Sequence, residues 1–126
     1  MRGLRDRGAS MPDIPIKTIN LEEGMPTVVQ ASARLAGSLV AARRQGATVL
    51  KLIHGYGSKG VGGDLRIALQ SSLRQMMERG EIRDCIHGED WRSSDARAWD
   101  LVKQHPEFKA DRDFGRGNRG VTIVLL

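Results

Sequence analysis

Aromatic side chains are scarce: two tryptophans, two phenylalanines and one tyrosine make up 4% of the chain. A core built from this sequence is therefore expected to be aliphatic. The single cysteine, Cys85, excludes an internal disulfide framework and fits a reducing compartment. No apolar run approaches the ~20 residues that cross a bilayer. The N-terminal stretch lacks the apolar core of a signal peptide. The expectation is a cytoplasmic protein with no membrane partner.

What remains is a chain of 126 residues, enough for one compact domain. Hydrophobic residues at 40% and charged residues at 28% fit a globular protein, and the formal net charge of +5 favours polyanions as partners. Residues 1–12 read as a disordered basic arm, with Arg2, Arg5 and Arg7 among glycines and no apolar pattern. Met11 is an alternative start, because patterned sequence begins just after it. Residues 13–126 are expected to form the one domain.

Hydrophobic periodicity predicts an order of elements. Residues 16–21 alternate apolar and polar positions, as a strand does. Pro26 and Thr27 supply helix-start chemistry, and Val28, Ala31, Leu35, Leu39 and Ala42 then mark one helical face up to Gly46. Residues 48–53 read as a second, mostly buried strand, in which Lys51 must snorkel or lie near an edge. A helical pattern opens at Asp64 and runs through Leu65, Leu69, Leu73 and Met76 to Gly80. Residues 82–87 form a third strand. Ser93 or Ser94 caps a further helix that Pro106 blocks. Residues 105–119 read as a polar loop with Arg112, Arg116 and Arg119, and residues 121–126 as a closing strand. This alternation implies an α/β fold with right-handed crossovers between parallel strands and helices on at least one face of the sheet.

The densest chemical signal follows the second strand, in His54-Gly55-Tyr56-Gly57-Ser58-Lys59-Gly60-Val61-Gly62-Gly63-Asp64-Leu65-Arg66. Glycines let a backbone approach a ligand closely, and a helix N-terminus offers free N–H groups and a positive dipole end. An anion site, most plausibly for phosphate, is expected. Gly55, Gly57 and Gly60 also match the Gly-x-Gly-x-x-Gly dinucleotide fingerprint, but the chain holds only half of such a fold, and the nearest suitable acid, Asp84, falls inside the next strand. A P-loop would need Lys and Ser or Thr where Val61 and Gly62 stand.

Ile-His-Gly occurs twice, at Ile53-His54-Gly55 and Ile86-His87-Gly88, both at the C-terminal ends of predicted strands. That edge is where open α/β sheets bind ligands. Glu22, His54, His87, Glu89 and Asp90 are therefore candidates to converge on one rim, as an acid–base pair or a metal site, or simply as strand ends bonded to loops. Arg66, Gln70 and Arg74 share a helix face and, with Lys59, extend the anion site into a basic stripe. Cys85 reads as a core residue, and Trp91 and Trp99 as packing residues.

The glycine segment resembles the motif of the small MutS-related (Smr) domain family, His-Gly-x-Gly-(Thr/Ser)-Gly-x-Leu-(Arg/Lys). His54-Gly55-Tyr56-Gly57-Ser58 and Gly63-Asp64-Leu65-Arg66 match it, with Lys59 to Gly62 inserted between them. Gly117-Asn118-Arg119-Gly120-Val121 is similar to the family's entry into its last strand. The resemblance implies a two-layer α/β sandwich on a four-stranded mixed sheet, similar to the C-terminal domain of translation initiation factor three. The stretch at about 89–119, which holds the further helix, departs from the family as an insertion longer than the usual connection between its last two strands.

The resemblance further implies DNA or RNA as partner, held by Gly55, Gly57, Ser58, Lys59, Gly60, Gly62, Gly63, Arg66 and Arg74. The family's first strand usually ends Leu-Asp-Leu-His-Gly, where Asp and His are implicated in cleavage. Here the residues are Ile19-Asn20-Leu21-Glu22-Glu23. The leading expectation is nucleic-acid binding without the usual nuclease activity and without a cofactor. A second is an endonuclease with a remodelled site, Glu22 and His54 acting with or without a divalent metal. A third is a protein-interaction or ribosome-associated module. Oligomeric state is left open.

Overall fold

A computed structural model describes residues 16–55 and 61–126, with backbone alone for 61–63. The elements run β1 (Ile16–Asn20), α1 (Val28–Arg44), β2 (Val49–Ile53), α2 (Val61–Glu78), β3 (Asp84–His87), α3 (Ala96–Gln104) and β4 (Val121–Leu125). The strands form one mixed sheet in the order β1-β2-β4-β3. β1 and β2 are parallel, whereas β4 runs antiparallel to both its neighbours, β2 and β3. The first three strands therefore point the same way, and their C-terminal ends share a rim with the start of β4.

α1 begins with a capping box: the Thr27 hydroxyl accepts from Gln30 N–H, and the Gln30 side chain accepts from Thr27 N–H. It stops just before Gly46, whose φ of +79° suits the residue after a helix. Ala31, Leu35, Leu39 and Ala42 from α1 pack with Leu65, Leu69 and Leu73 from α2 over Leu50, Leu52 and Val124 of the sheet. This first core is aliphatic, as expected. Cys85 packs against it, half-buried, with Sγ 3.6 Å from Met77 Sδ. Burial pushes its thiol pKa up.

The other sheet face carries a second core, in which Val49, Ile86, Ile123 and Leu125 meet Trp91, Ala98, Leu101, Val102 and Phe108. Here the aliphatic expectation fails. Trp91 is fully buried between Phe108 and Phe114, with the Phe114 ring edge-on at 5.1 Å. The few aromatics are concentrated where a short excursion must cover a sheet with little chain, and large rings bury the most area per residue. Trp99 is partly exposed beneath the Lys109 ammonium, 5.1 Å from its ring.

Several boundaries differ from the sequence pattern. α2 opens at Val61 rather than Asp64, so Gly62 and Gly63 lie in its first turn. Each interior glycine costs a helix ~1 kcal/mol, which the buried leucine face of α2 offsets. Asp95 caps α3 in place of Ser93 or Ser94, accepting from Arg97 and Ala98 N–H at 2.9 and 3.1 Å. Its carboxylate also pairs with Arg97, whose bond holds its pKa below the ordinary range. Residues 105–119 are no simple polar loop. Pro106–Ala110 form a 3-10 turn that buries Phe108.

Lys51 neither snorkels nor lies at an edge. It stands mid-strand in β2, an interior strand, and is 3% exposed. Its ammonium meets Asp111 at 2.8 Å and Asp113 at 2.5 Å. Asp111 also accepts from the Trp91 indole N–H at 3.1 Å, and Asp113 from Asn118 at 2.8 Å. Burial alone would raise the Asp113 pKa, but its bonds to Asn118 and Lys51 hold it below the ordinary carboxylate value.

Breaking a buried charge pair strands its partner away from water. Lys51→Ala is expected to lower unfolding free energy by about 3–5 kcal/mol. Lys51→Met combined with Asp111→Asn and Asp113→Asn is expected to recover most of that loss. Urea midpoints of the single and triple variants check both outcomes.

Candidate functional site

β2 delivers His54 and Gly55 to the rim. Both their backbone N–H groups donate to the Gly120 carbonyl, at 2.9 and 3.0 Å, so the start of β4 clamps the start of the glycine segment. Gly55 has φ +75°, and a Cβ there would collide with the Glu22 carboxylate. The positive φ is what calls for glycine here, since the exposed Glu22 side chain can swing aside.

His54 is 1% exposed. One ring nitrogen, Nδ1, lies 2.6 Å from the Gly55 carbonyl, and the other, Nε2, lies 2.9 Å from Thr122 Oγ1. A carbonyl can only accept, so Nδ1 carries the proton and Nε2 accepts from the Thr122 hydroxyl. Burial holds the imidazole pKa below its ordinary value, against the bond to Gly55, and the Arg66 charge and His87 push the same way while Glu89 opposes them. A neutral ring with both nitrogens engaged locks loop to sheet. Thr122 gave no signal in the sequence, since its role follows from β4 lying beside β2.

The other rim candidates divide. Glu22 is exposed, its carboxylate against Gly55. It is carried by a tight loop in which Asn20 Oδ1 accepts from Glu22 and Glu23 N–H at 3.0 and 3.1 Å, and Arg34 donates to the Glu23 carbonyl at 2.9 Å. His87 ends β3, opposite Thr122 in register. Asp90 turns toward Arg97, 3.9 Å away. Asp84 is the first residue of β3, at the far end of the sheet from Gly55, which removes it as a ribose ligand. Among the described residues, no three His, Cys, Asp or Glu side chains cluster as a metal set.

Gly57, Ser58, Lys59 and Gly60 lie outside the described residues, as does the 1–12 arm. Arg66 is on α2, one turn in from its N-terminus, and close enough to His54 for its charge to act there. Its Nε is buried without a hydrogen-bond partner among the described residues, as is Glu89 Oε1. Arg74, two turns further along α2, is exposed. A buried guanidinium nitrogen without a partner is rare in folded proteins and calls for a physical reason.

The depressed His54 pKa predicts a pH dependence. The fold favours the neutral ring, so its contribution is complete above the unfolded value near 6.5 and is lost as pH falls below it. The slope is expected to reach at most about 1.4 kcal/mol per pH unit. Asp95 and Asp113 add their own acid dependence only below the ordinary carboxylate range. His54→Leu is expected to flatten its share between pH 7 and 5 and to cost about 1–3 kcal/mol at pH 7, by stranding the Gly55 carbonyl and Thr122 hydroxyl. Denaturant titrations across that window check both effects.

No family model and no curated protein matches the sequence. The structure is similar to the crystal structure of the Smr domain of Thermus thermophilus MutS2, with a TM-score of 0.54 and 24% identity over 87% of this chain and 96% of that one. In that domain, as here, helices pack on a mixed four-stranded sheet, and the resemblance carried by His54-Gly55 and Leu65-Arg66 is met by the architecture around them: in fold, the chain is an Smr-like domain.

Proposed function

We propose that the domain binds nucleic acid through a phosphate held between the glycine segment and the N-terminus of α2, and that it does not cut by the route its fold relatives suggest. One observation carries this reading: Arg66 Nε is buried and unpartnered among the described residues, beside His54 and directly behind the start of α2. A bound phosphate oxygen would satisfy it. With the Gly55 N–H taken by the Gly120 carbonyl, backbone N–H groups after Gly55 and up to Gly63, with Ser58 and Lys59, would supply the remaining donors, and Arg74 would extend the contact along α2. The net charge of +5 adds a sequence-independent attraction to a polyanion. The partner is DNA or RNA.

His54 supports binding rather than cleavage in this reading. A general base needs a free lone pair facing the substrate, and the His54 lone pair accepts from Thr122. Asn20, where a cleaving relative would carry Asp, is occupied as a turn cap. Glu22 is the observation that favours the endonuclease reading, because it is an exposed carboxylate lying against Gly55. Beside a bound phosphate it either repels the ligand or serves as a base or metal ligand.

Binding is expected to weaken with salt, with a slope of log K against log salt of about −2 to −3 for roughly three phosphate contacts. Arg66→Ala is expected to lower affinity about tenfold, the scale of one charge-assisted bond. Glu22→Gln is expected to raise affinity and to reveal no cleavage. Fluorescence anisotropy with labelled oligonucleotides, in parallel with a cleavage assay with and without Mg²⁺, measures all three. Cleavage that Glu22→Gln abolishes would establish the endonuclease reading instead. An absence of oligonucleotide affinity at low salt would point to a protein-interaction module.

A further inference from the structure

The sheet face opposite α1 and α2 is only partly covered by the excursion between β3 and β4. Toward the rim it leaves a cleft of about 430 Å³ lined by Thr18, Lys51, Ile53, Asp111, Arg112, Asp113, Asn118 and Val121. Ligand sites occupy about 300–1,000 Å³, so this one suits a small group rather than an extended chain. Ile53, half-buried, gives the cleft an apolar floor beside its buried register partner Val121. Thr18, the register partner of Lys51 on β1, is exposed and forms one side.

The lining is polar but electrically balanced. Lys51 and Arg112 carry positive charge, Asp111 and Asp113 negative, and Lys51 is already bonded to both carboxylates. A charged ligand gains nothing there. A flat, neutral group with donors and acceptors along its edge fits better, because its face can lie on Ile53 while its edge meets Thr18, Arg112 and the second N–H of the Asn118 amide. That description is a nucleobase.

Position adds the second argument. Ile53 is followed by His54 and Gly55, and Val121 is preceded by Gly120, whose carbonyl holds both of their N–H groups. The cleft and the proposed phosphate site therefore stand on either side of the same β2–β4 junction. We infer that the cleft receives an unpaired base of the strand whose phosphate is held at the glycine segment, so that the domain selects single-stranded over duplex nucleic acid. This rests on the nucleic-acid reading above. A base inside a duplex has its Watson–Crick edge paired and both faces stacked, so it has no face to lay on the cleft.

The test compares a labelled single strand, the same strand carrying abasic positions, and a duplex, by anisotropy at one salt concentration. Wild-type protein is expected to bind the intact single strand about tenfold more tightly than the abasic strand. Thr18→Phe fills the cleft from an exposed strand position and leaves the Lys51, Asp111 and Asp113 side chains themselves unchanged. It is expected to weaken the intact strand about tenfold, to leave the abasic strand and duplex unchanged, and to be rescued in Thr18→Ser. Equal wild-type affinity for intact and abasic strands would overturn the inference whether or not Thr18→Phe folds, and would leave the phosphate site standing. So would a folded Thr18→Phe that binds the intact strand like wild type. Absence of binding to any of the three ligands would overturn the nucleic-acid reading and the cleft together.

Discussion

The buried ammonium of Lys51 organises the half of the molecule that faces away from α1 and α2. A charge in the middle of an interior strand must be matched, and the chain matches it with Asp111 and Asp113, drawn from sixty residues downstream onto the sheet. The polar connections continue in both directions. Asp111 fixes the indole of Trp91, around which the second core forms. Asp113 fixes Asn118, Asn118 accepts from Gly120 N–H, and the Gly120 carbonyl holds His54 and Gly55. One unbroken series of hydrogen bonds thus links the aromatic core to the first residues of the glycine segment.

That linkage explains why the rim is set more precisely than its loops alone would allow. His54 adds its Nε2 to the same junction, so three bonds from two residues tie the end of β2 to the start of β4. Glycine at 55 is then a consequence of its positive φ. Among the described residues, Arg66 Nε is the one buried side-chain nitrogen without a hydrogen-bond partner.

The parts of the fold governed by local periodicity were legible in the sequence. The α1 face from Ala31 to Ala42, the stop at Gly46, the leucines of α2 and all four strands lie where the pattern puts them, to within a few residues. What was not legible depends on contacts between distant segments. Lys51 announced a problem, but its solution lay in Asp111 and Asp113, within a stretch that composition marks only as polar. Thr122 looks like any strand threonine until β4 is placed beside β2. The start of α2 was hidden because glycine pairs read as loop, although packing of Leu65 and Leu69 can extend a helix through them. Asp95 took the cap from two adjacent serines because it also pairs with Arg97.

The strand order has a consequence for how the molecule is made. β4 is the last strand in sequence but lies between β2 and β3, and β3 pairs with β4 alone. While a ribosome is still adding residues before Val121, β1 and β2 can pair, whereas β3 has no neighbour and β2 presents a bare edge. The His54–Thr122 bond, spanning 68 residues, is likewise unmade. Such long-range closure slows folding, and an unpaired edge invites association with other chains. The nascent protein therefore passes through a stage in which the rim around His54 is unassembled and its sheet is open, and both faults are cured by the same late-arriving segment.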